Sequence, residues 1–468
     1  MSTEKKSTAE KLAEKLLSNN KHAALRMEDD EITKAFDFCE GYKAYLDAAK
    51  TEREAVTEAI RLAKAHKFTE FKKGKKYKAG DKFYYINRGK AVILGVMGKK
   101  SLEEGVRLAA AHIDSPRLDL KQNPLYEDME LALFKTHYYG GIKKYQWTAI
   151  PLSLHGVIVK ADGSSVTVNI GEDENDPIFC VTDLLPHLAM QQMKRSPAEL
   201  IKGEELNILI GSMPFKDDKF SKKVKLNIMS ILNEKYGIIE DDLVSAELEA
   251  VPQFKAKDLG FDRSMIGAYG QDDSSCAYTA LQAILDVKAP DHTCITVLTD
   301  KEETGSDGNT GLNSSYLAYF IDDLARSFGL CGHNVISASE CLSADVNSAV
   351  DPTFQDVTEN RNASKLNYGV VATKFTGARG KSGTSDASAE FVGRVRKLFD
   401  ENNVVWQTGE LGKVDFGGGG TVAQFIANLD MEVIDVGVPV LSMHAPLEVT
   451  AKIDVYMAYK AFSVFFKD

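Results

Sequence analysis

The chain has 468 residues, 44% of them hydrophobic and 27% charged, a composition that fits a water-soluble globular protein of roughly two to four domains. Its net charge of −11 argues against a nucleic-acid or anionic-membrane partner, since both draw on clustered positive charge. Six scattered cysteines with no CxxC pair, an N-terminus with charge throughout and no long apolar run predict a cytoplasmic protein with reduced thiols, without signal peptide or membrane span.

Residues 7–66 read as helices. "STAEKLAEKLLS" has leucines at helical spacing behind a capping serine, and 31–66 carries apolar residues every three or four positions. Two strands, "KFYYINRG" and "KAVILGVMG", flank a hairpin turn at Asn87-Arg88-Gly89-Lys90, and "GVRLAAAHIDS" (105–115) reads as a buried strand. Between 121 and 260 the pattern becomes strand-rich, with "MELALFKTHY", "SLHGVIVKA", "SSVTVNIG" and "KVKLNIMSIL" separated by polar stretches. From about 264, helices and strands alternate. The helices fall at 274–287, 313–329, 385–402, "GTVAQFIANL" and "KIDVYMAYKAFSVFF". The strands are "TCITVLTD", "NYGVVATKFT", "NVVWQTG" and "EVIDVGVPV". Such alternation predicts a mostly parallel sheet covered on both faces, that is, an α/β domain. The expected architecture joins residues 1–121 and 263–468 into one domain, with a β-rich domain inserted at 122–262.

Polar residues gather where predicted strands stop, the place where open α/β sheets bind ligands. His112 and Asp114 are two apart and share a face if the chain is extended there. Asp272 and Asp273 precede a helix, where an acidic residue is also an ordinary cap. Glu302 and Glu303 follow the strand ending at 300, Asp345 follows "NVISASECLSA", and His444 follows an apolar strand. Each motif alone has a bland reading. The glutamate pair reads as a solvated turn and either histidine as a structural one. Together the two histidines, Asp272, Asp345 and one of the two glutamates supply five nitrogen or oxygen ligands, a set suited to two divalent ions with Asp272 bridging.

The segments "AAHIDSPRLDLK", "GQDDSSCA", "DKEETGS", "SADVNSAVDP" and "SMHAPLEV" resemble, in order, the motifs of the aspartyl aminopeptidase family of dinuclear zinc exopeptidases, in a bacterial form. The likeness spans roughly 80–468, the inserted domain included. It implies a three-layer αβα zinc-peptidase domain with an inserted dimerisation domain, cutting the N-terminal residue from peptides. His112, Asp345 and bridging Asp272 would hold one zinc; His444, Glu303 and the same Asp272 would hold the other. Manganese and cobalt accept the same ligands. Glu302 would be the general base and Asp114 would stand behind His112. His187, in "LLPHLAMQQ", would reach a neighbouring subunit's site and steady the tetrahedral intermediate; its other possible role is as a zinc ligand.

The resemblance further implies a tetrahedral homododecamer built from dimers. It makes Lys374 a candidate for recognising acidic N-terminal residues, and the loop "FGGGGTVAQ" (416–424), with Gly418 and Gly419, a receptor of substrate through its backbone N–H groups. Two positions depart from the family: Ile113 stands where many relatives have Thr, and Asp273 where they often have Asn. Neither is expected to touch a ligand. The rival readings are a related metal carboxypeptidase or deacylase, a glycoside hydrolase using Glu302 and Glu303, and a non-catalytic oligomeric shell. A glycosidase needs its two carboxyls facing across a bond, about 5–9.5 Å apart, which adjacent residues rarely achieve. A shell would have lost ligands, and none is lost.

Overall fold

The computed structural model describes residues 6–18, 20–217 and 219–468. Its centre is a nine-stranded mixed sheet made from both ends of the chain. Four of its strands, Thr293–Thr299, Val106–His112, Glu340–Ser343 and Glu432–Gly437, lie side by side and parallel. On one side the hairpin Lys82–Asn87/Ala91–Val96 pairs antiparallel to Thr293–Thr299; on the other, Val370–Thr373 runs antiparallel to Glu432–Gly437. The strand pattern sorts side chains onto two faces. Val92, Leu94 and Val96 enter a core closed by the helices Asp29–Ala48, Gln271–Asp286 and Lys452–Phe465. Ala91 and Ile93 enter a second core closed by Tyr316–Arg326 and Ala423–Ala427. The result is three layers, α/β/α, as the alternation of elements predicts.

A seven-stranded antiparallel sheet is built only from segments between Arg117 and Pro252 and has its own core around Leu118, Phe134, Trp147 and Leu248. One element there differs from expectation: "KVKLNIMSIL" lies in a helix, Lys223–Tyr236. Its Val-x-Leu-x-Ile alternation imitates a strand. Val224 is buried and Ile228, Met229, Leu232 and Tyr236 pack against the core, a helical spacing, while Leu226 is exposed. A third, five-stranded sheet goes beyond what the sequence pattern predicts. It assembles short pieces distant in sequence: Lys257–Leu259, Met265–Ala268, Glu448–Ala451, Pro439–Leu441 and Asn347–Ser348. The run "EVIDVGVPV" is accordingly two strands in two sheets, divided at Val438. No helix among the described residues is long and apolar enough to cross a membrane.

Candidate active site

Every residue of Val106–His112 is buried, and His112 is its first imidazole, at the carboxyl end. Thr299 pairs with His112 and Ser343 with Ala110, so three parallel strands stop at one edge of the sheet. Their following loops carry Asp114, Glu302, Glu303 and Asp345 to the same place. The small sheet supplies the rest. Ala268 pairs with Glu448, which sets the start of helix Gln271–Asp286 against the loop holding His444.

Asp272 stands between the two histidines. Its Oδ1 lies 3.1 Å from His112 Nε2 and its Oδ2 3.2 Å from His444 Nε2. His444 Nε2 is also 3.4 Å from Glu303 Oε2, and His112 Nε2 is 3.9 Å from Glu302 Oε2. Each imidazole directs its other nitrogen at a backbone carbonyl: His112 Nδ1 donates to Asp114 at 2.9 Å and His444 Nδ1 to Gly141 at 2.7 Å. That leaves both Nε2 atoms as the inward-facing ligand atoms. Ligand-type atoms of His112, Asp272 and Glu303 lie within 4.8 Å of one another, as do those of His112, Asp273 and Asp345. Asp273 thus departs from the expectation that it touches no ligand. Its Oδ2 accepts the His112 backbone N–H at 3.2 Å, because the chain at Asp272–Asp273 leaves helical geometry and turns the second carboxylate inward.

Five buried or nearly buried carboxylates (Asp272, Asp273, Glu302, Glu303 and Asp345) face two imidazoles. Burial raises Asp273, Glu303 and Asp345 above the usual carboxyl range. Glu302 is pushed up to about 7 by burial and by the charges of Asp114 and Asp272, against the opposing pull of His112. His444 rises to about 10: burial opposes its charge, but Asp272 and Glu303 outweigh burial. Among the described residues, Asp273 Oδ1 and Glu303 Oε1 find no hydrogen-bond partner in their buried positions. Unpaired buried carboxylate oxygens and surplus negative charge are what divalent cations satisfy, so the donor set fits metal. A cavity of about 730 Å³, lined by Asp119, Lys121, His137, Tyr139 and Gly140, opens onto Glu303.

Two groups that organise the site were not read from the sequence. Glu448, buried in the small sheet, accepts the backbone N–H of His444 at 2.7 Å and of Asp272 at 3.0 Å, tying together the two residues that meet. Burial, with the Asp272 charge, lifts its carboxyl to about 8 against those two bonds. It sits in the quoted "SMHAPLEV", where a glutamate opening an apolar strand was the available signal. Tyr139, from the seven-stranded sheet, donates its hydroxyl to Asp114 Oδ2 at 2.7 Å. Asp114 does more than stand behind His112, since its two oxygens also accept the backbone N–H groups of Glu302 and Glu303, at 3.1 and 3.2 Å.

The remaining candidates lie apart from this cluster. His187 is exposed beside Leu184, Leu185 and Leu188 and belongs to neither ligand-type group. Lys374 follows the strand Val370–Thr373 and is ion-paired to Asp386, which also holds Lys381 at 2.8 Å; it lines a cavity of about 350 Å³ with Trp406 and Arg396. The glycine loop is pinned against a neighbouring segment. Gly418 has φ +108° and a Cβ there would lie 1.7 Å from the Gly377 carbonyl, while Gly377 N–H donates to the Gly419 carbonyl at 2.7 Å.

A three-layer α/β domain carrying two imidazoles and a surplus of buried carboxylates at its strand ends defines a metal-dependent hydrolase. The family profile for the aminopeptidase I zinc metalloproteases (M18) matches residues 45–466. The probable M18 family aminopeptidase 1 of Clostridium acetobutylicum is 50% identical over 461 residues, covering 96% of this chain and 98% of its own; that of Thermotoga maritima is 46% identical, covering 91% and 94%. The crystal structure of the M18 aminopeptidase from Thermotoga maritima superposes with a TM-score of 0.92 at 43% identity, covering 96% and 99% of the two chains. The S. cerevisiae mApe1 dodecamer, at 21% identity and TM-score 0.75 with 92% and 96% covered, shares the fold. The chain belongs to the M18 family. It is a zinc-dependent metalloaminopeptidase, which sets aside the glycosidase, carboxypeptidase and shell readings.

Proposed function

We propose that the protein removes N-terminal residues from peptides at a two-cation site centred on Asp272, with Glu302 as general base. The observation that carries this reading is that the two oxygens of Asp272 face two different imidazole Nε2 atoms, at 3.1 and 3.2 Å. His112 and Asp345 would complete one site with Asp272; His444 and Glu303 would complete the other. Asp273, within reach of His112 and Asp345, would strengthen the first. When bound, the cations polarise the scissile carbonyl and acidify the attacking water, whose pKa can fall to about 7. Glu302 stands beside the cluster, its Oε2 3.9 Å from His112 Nε2, within reach of a water held there. It takes the proton of the attacking water and returns it to the leaving amine. The carboxylates of Glu303, whose Oε1 is buried without a partner among the described residues, and of Asp345 would attract a substrate α-amino group, which would favour a chain end over an internal bond.

His187 is read as acting on a neighbouring subunit's intermediate, a role its exposure permits. Residues 122–262 are read as the dimerisation domain and 1–121 with 263–468 as the catalytic one. The assembly is read as a tetrahedral homododecamer built from dimers; mApe1, which shares the fold, is itself a dodecamer. Lys374 is read as favouring acidic N-terminal residues and Gly418–Gly419 as receiving the substrate backbone. Six free cysteines suit the cytoplasm. Aminoacyl fluorogenic substrates, free and N-acetylated, assayed alongside elemental analysis of the purified protein, test the reading. Two zinc per subunit, cleavage of free amino termini alone and fastest turnover of Asp or Glu substrates are expected. One metal per subunit, or equal cleavage of blocked substrates, overturns it.

A further inference from the structure

The end of the strand Leu131–Tyr139 runs across the active site as a short strap. The Gly141 carbonyl accepts from His444 Nδ1 at 2.7 Å. Gly140, with φ +74°, passes so close to Glu303 that a Cβ there would lie 3.2 Å from Oε2. Tyr139 donates its hydroxyl to Asp114 Oδ2 at 2.7 Å. Asp114 is wholly buried and carries four further contacts. Its carboxylate caps the turn Glu302–Thr304 by accepting two N–H groups, its Oδ1 lies 3.4 Å from His112 Nδ1, and its carbonyl takes the His112 Nδ1–H. The tyrosine is itself held. Its ring packs on the Arg117 guanidinium, 4.0 Å from the ring centre, and Arg117 is fixed by Glu52 at 3.1 Å, Asp119 at 2.8 Å and Glu249 at 3.2 Å.

We propose that Tyr139 is a positioning residue for the base: its hydroxyl locks the Asp114 carboxylate, and Asp114 holds the backbone from which Glu302 projects. A phenol at neutral pH is protonated and so donates. Asp114 Oδ2 is shared between Tyr139 and the Glu303 N–H, so removing the hydroxyl frees the carboxylate to rotate away from the turn it caps. The seven-stranded sheet, beyond any role in assembly, thereby sets the geometry of proton transfer in its own subunit. The inference rests on Glu302 being the base.

The test compares Tyr139→Phe, Asp114→Asn, their combination and Glu302→Gln by steady-state kinetics, zinc content and thermal melting. Loss of an outer partner of this kind costs roughly 10-fold to 100-fold. Tyr139→Phe is expected to lose that factor in kcat with KM within about twofold of wild type, unchanged zinc and unchanged melting temperature. Added to Asp114→Asn, it is expected to cost nothing more, because its effect passes through Asp114. Wild-type kcat in Tyr139→Phe, a full multiplicative loss on top of Asp114→Asn, or a fall matched by lost zinc overturns the inference. If Glu302→Gln turns over normally, the base assignment fails. If Glu302→Gln is silent while Tyr139→Phe runs at the wild-type rate, only the role of Tyr139 fails.

Discussion

Replacing Glu302 with glutamine separates proton transfer from metal binding. The substitution keeps the shape of the side chain and leaves the backbone N–H of residue 302 on Asp114 Oδ1. It also leaves both ligand-type groups intact, since neither contains Glu302. What disappears is the proton acceptor, an oxygen 3.9 Å from His112 Nε2 on a side chain 18% exposed. A positioned general base is worth about 10²–10⁴-fold, or about 3–5 kcal/mol of barrier. Glutamine cannot accept and return a proton, so kcat is expected to fall by at least the lower figure. Zinc per subunit should stay at the wild-type value. Removing one carboxylate from a crowded buried group, whose own pKa is pushed up to about 7, should leave the metal-free melting temperature unchanged or raised. Stopped-time hydrolysis of an aminoacyl substrate, elemental analysis and calorimetry on one preparation read all three. Turnover within about threefold of wild type at full zinc occupancy would refute the base role, being far below the smallest effect of a base.

Asp272→Asn should lose metal and activity together, because the two oxygens of Asp272 lie 3.1 and 3.2 Å from the Nε2 atoms of two different imidazoles; full zinc content in that variant would contradict the bridging role. His187→Ala should reduce turnover by roughly 10²–10³-fold with zinc retained, and loss of zinc would make His187 a ligand instead. A pH effect is expected away from the site. Burial by itself would lower the His155 pKa, but its bonds to Glu172 at 3.2 Å and Glu54 at 2.7 Å outweigh burial and raise it. The stabilisation is therefore complete below the usual histidine value of about 6.5 and is lost as pH rises through the raised one. Glu172 is held low and loses its contribution only under acid conditions, outside that window. The wild-type melting temperature should fall more steeply as pH rises above about 6.5 than that of His155→Gln; parallel slopes would show that this imidazole does not titrate there.

Much of the molecule follows from local pattern. The strand "VRLAAAH" is buried throughout and, after Arg107, apolar until His112, which marks the edge where the loops bind ligands. This made His112, Asp114, Glu302, Glu303 and Asp345 visible as candidates before any fold was known. Periodicity likewise predicts the flanking helices. It fails for Lys223–Tyr236, where one run of apolar residues satisfies both periods and only contact with the neighbouring sheet selects the helix.

What the sequence could not hold is proximity between distant segments. The five-stranded sheet joins pieces of two to four residues, too short for a pattern, yet its pairing of Ala268 with Glu448 brings Asp272 to His444. Glu448 and Tyr139 look ordinary in the chain. Their roles come from the atoms they meet, the N–H groups of Asp272 and His444 and the carboxylate of Asp114. Asp273 reads as a second helix cap until a local break in helical geometry turns it toward His112. Residue type and order determine which side chains can do chemistry and at which strand ends they fall. Which of them share a few ångströms of buried space is settled by tertiary packing, because burial and hydrogen-bond distance belong to pairs of segments and to neither one alone.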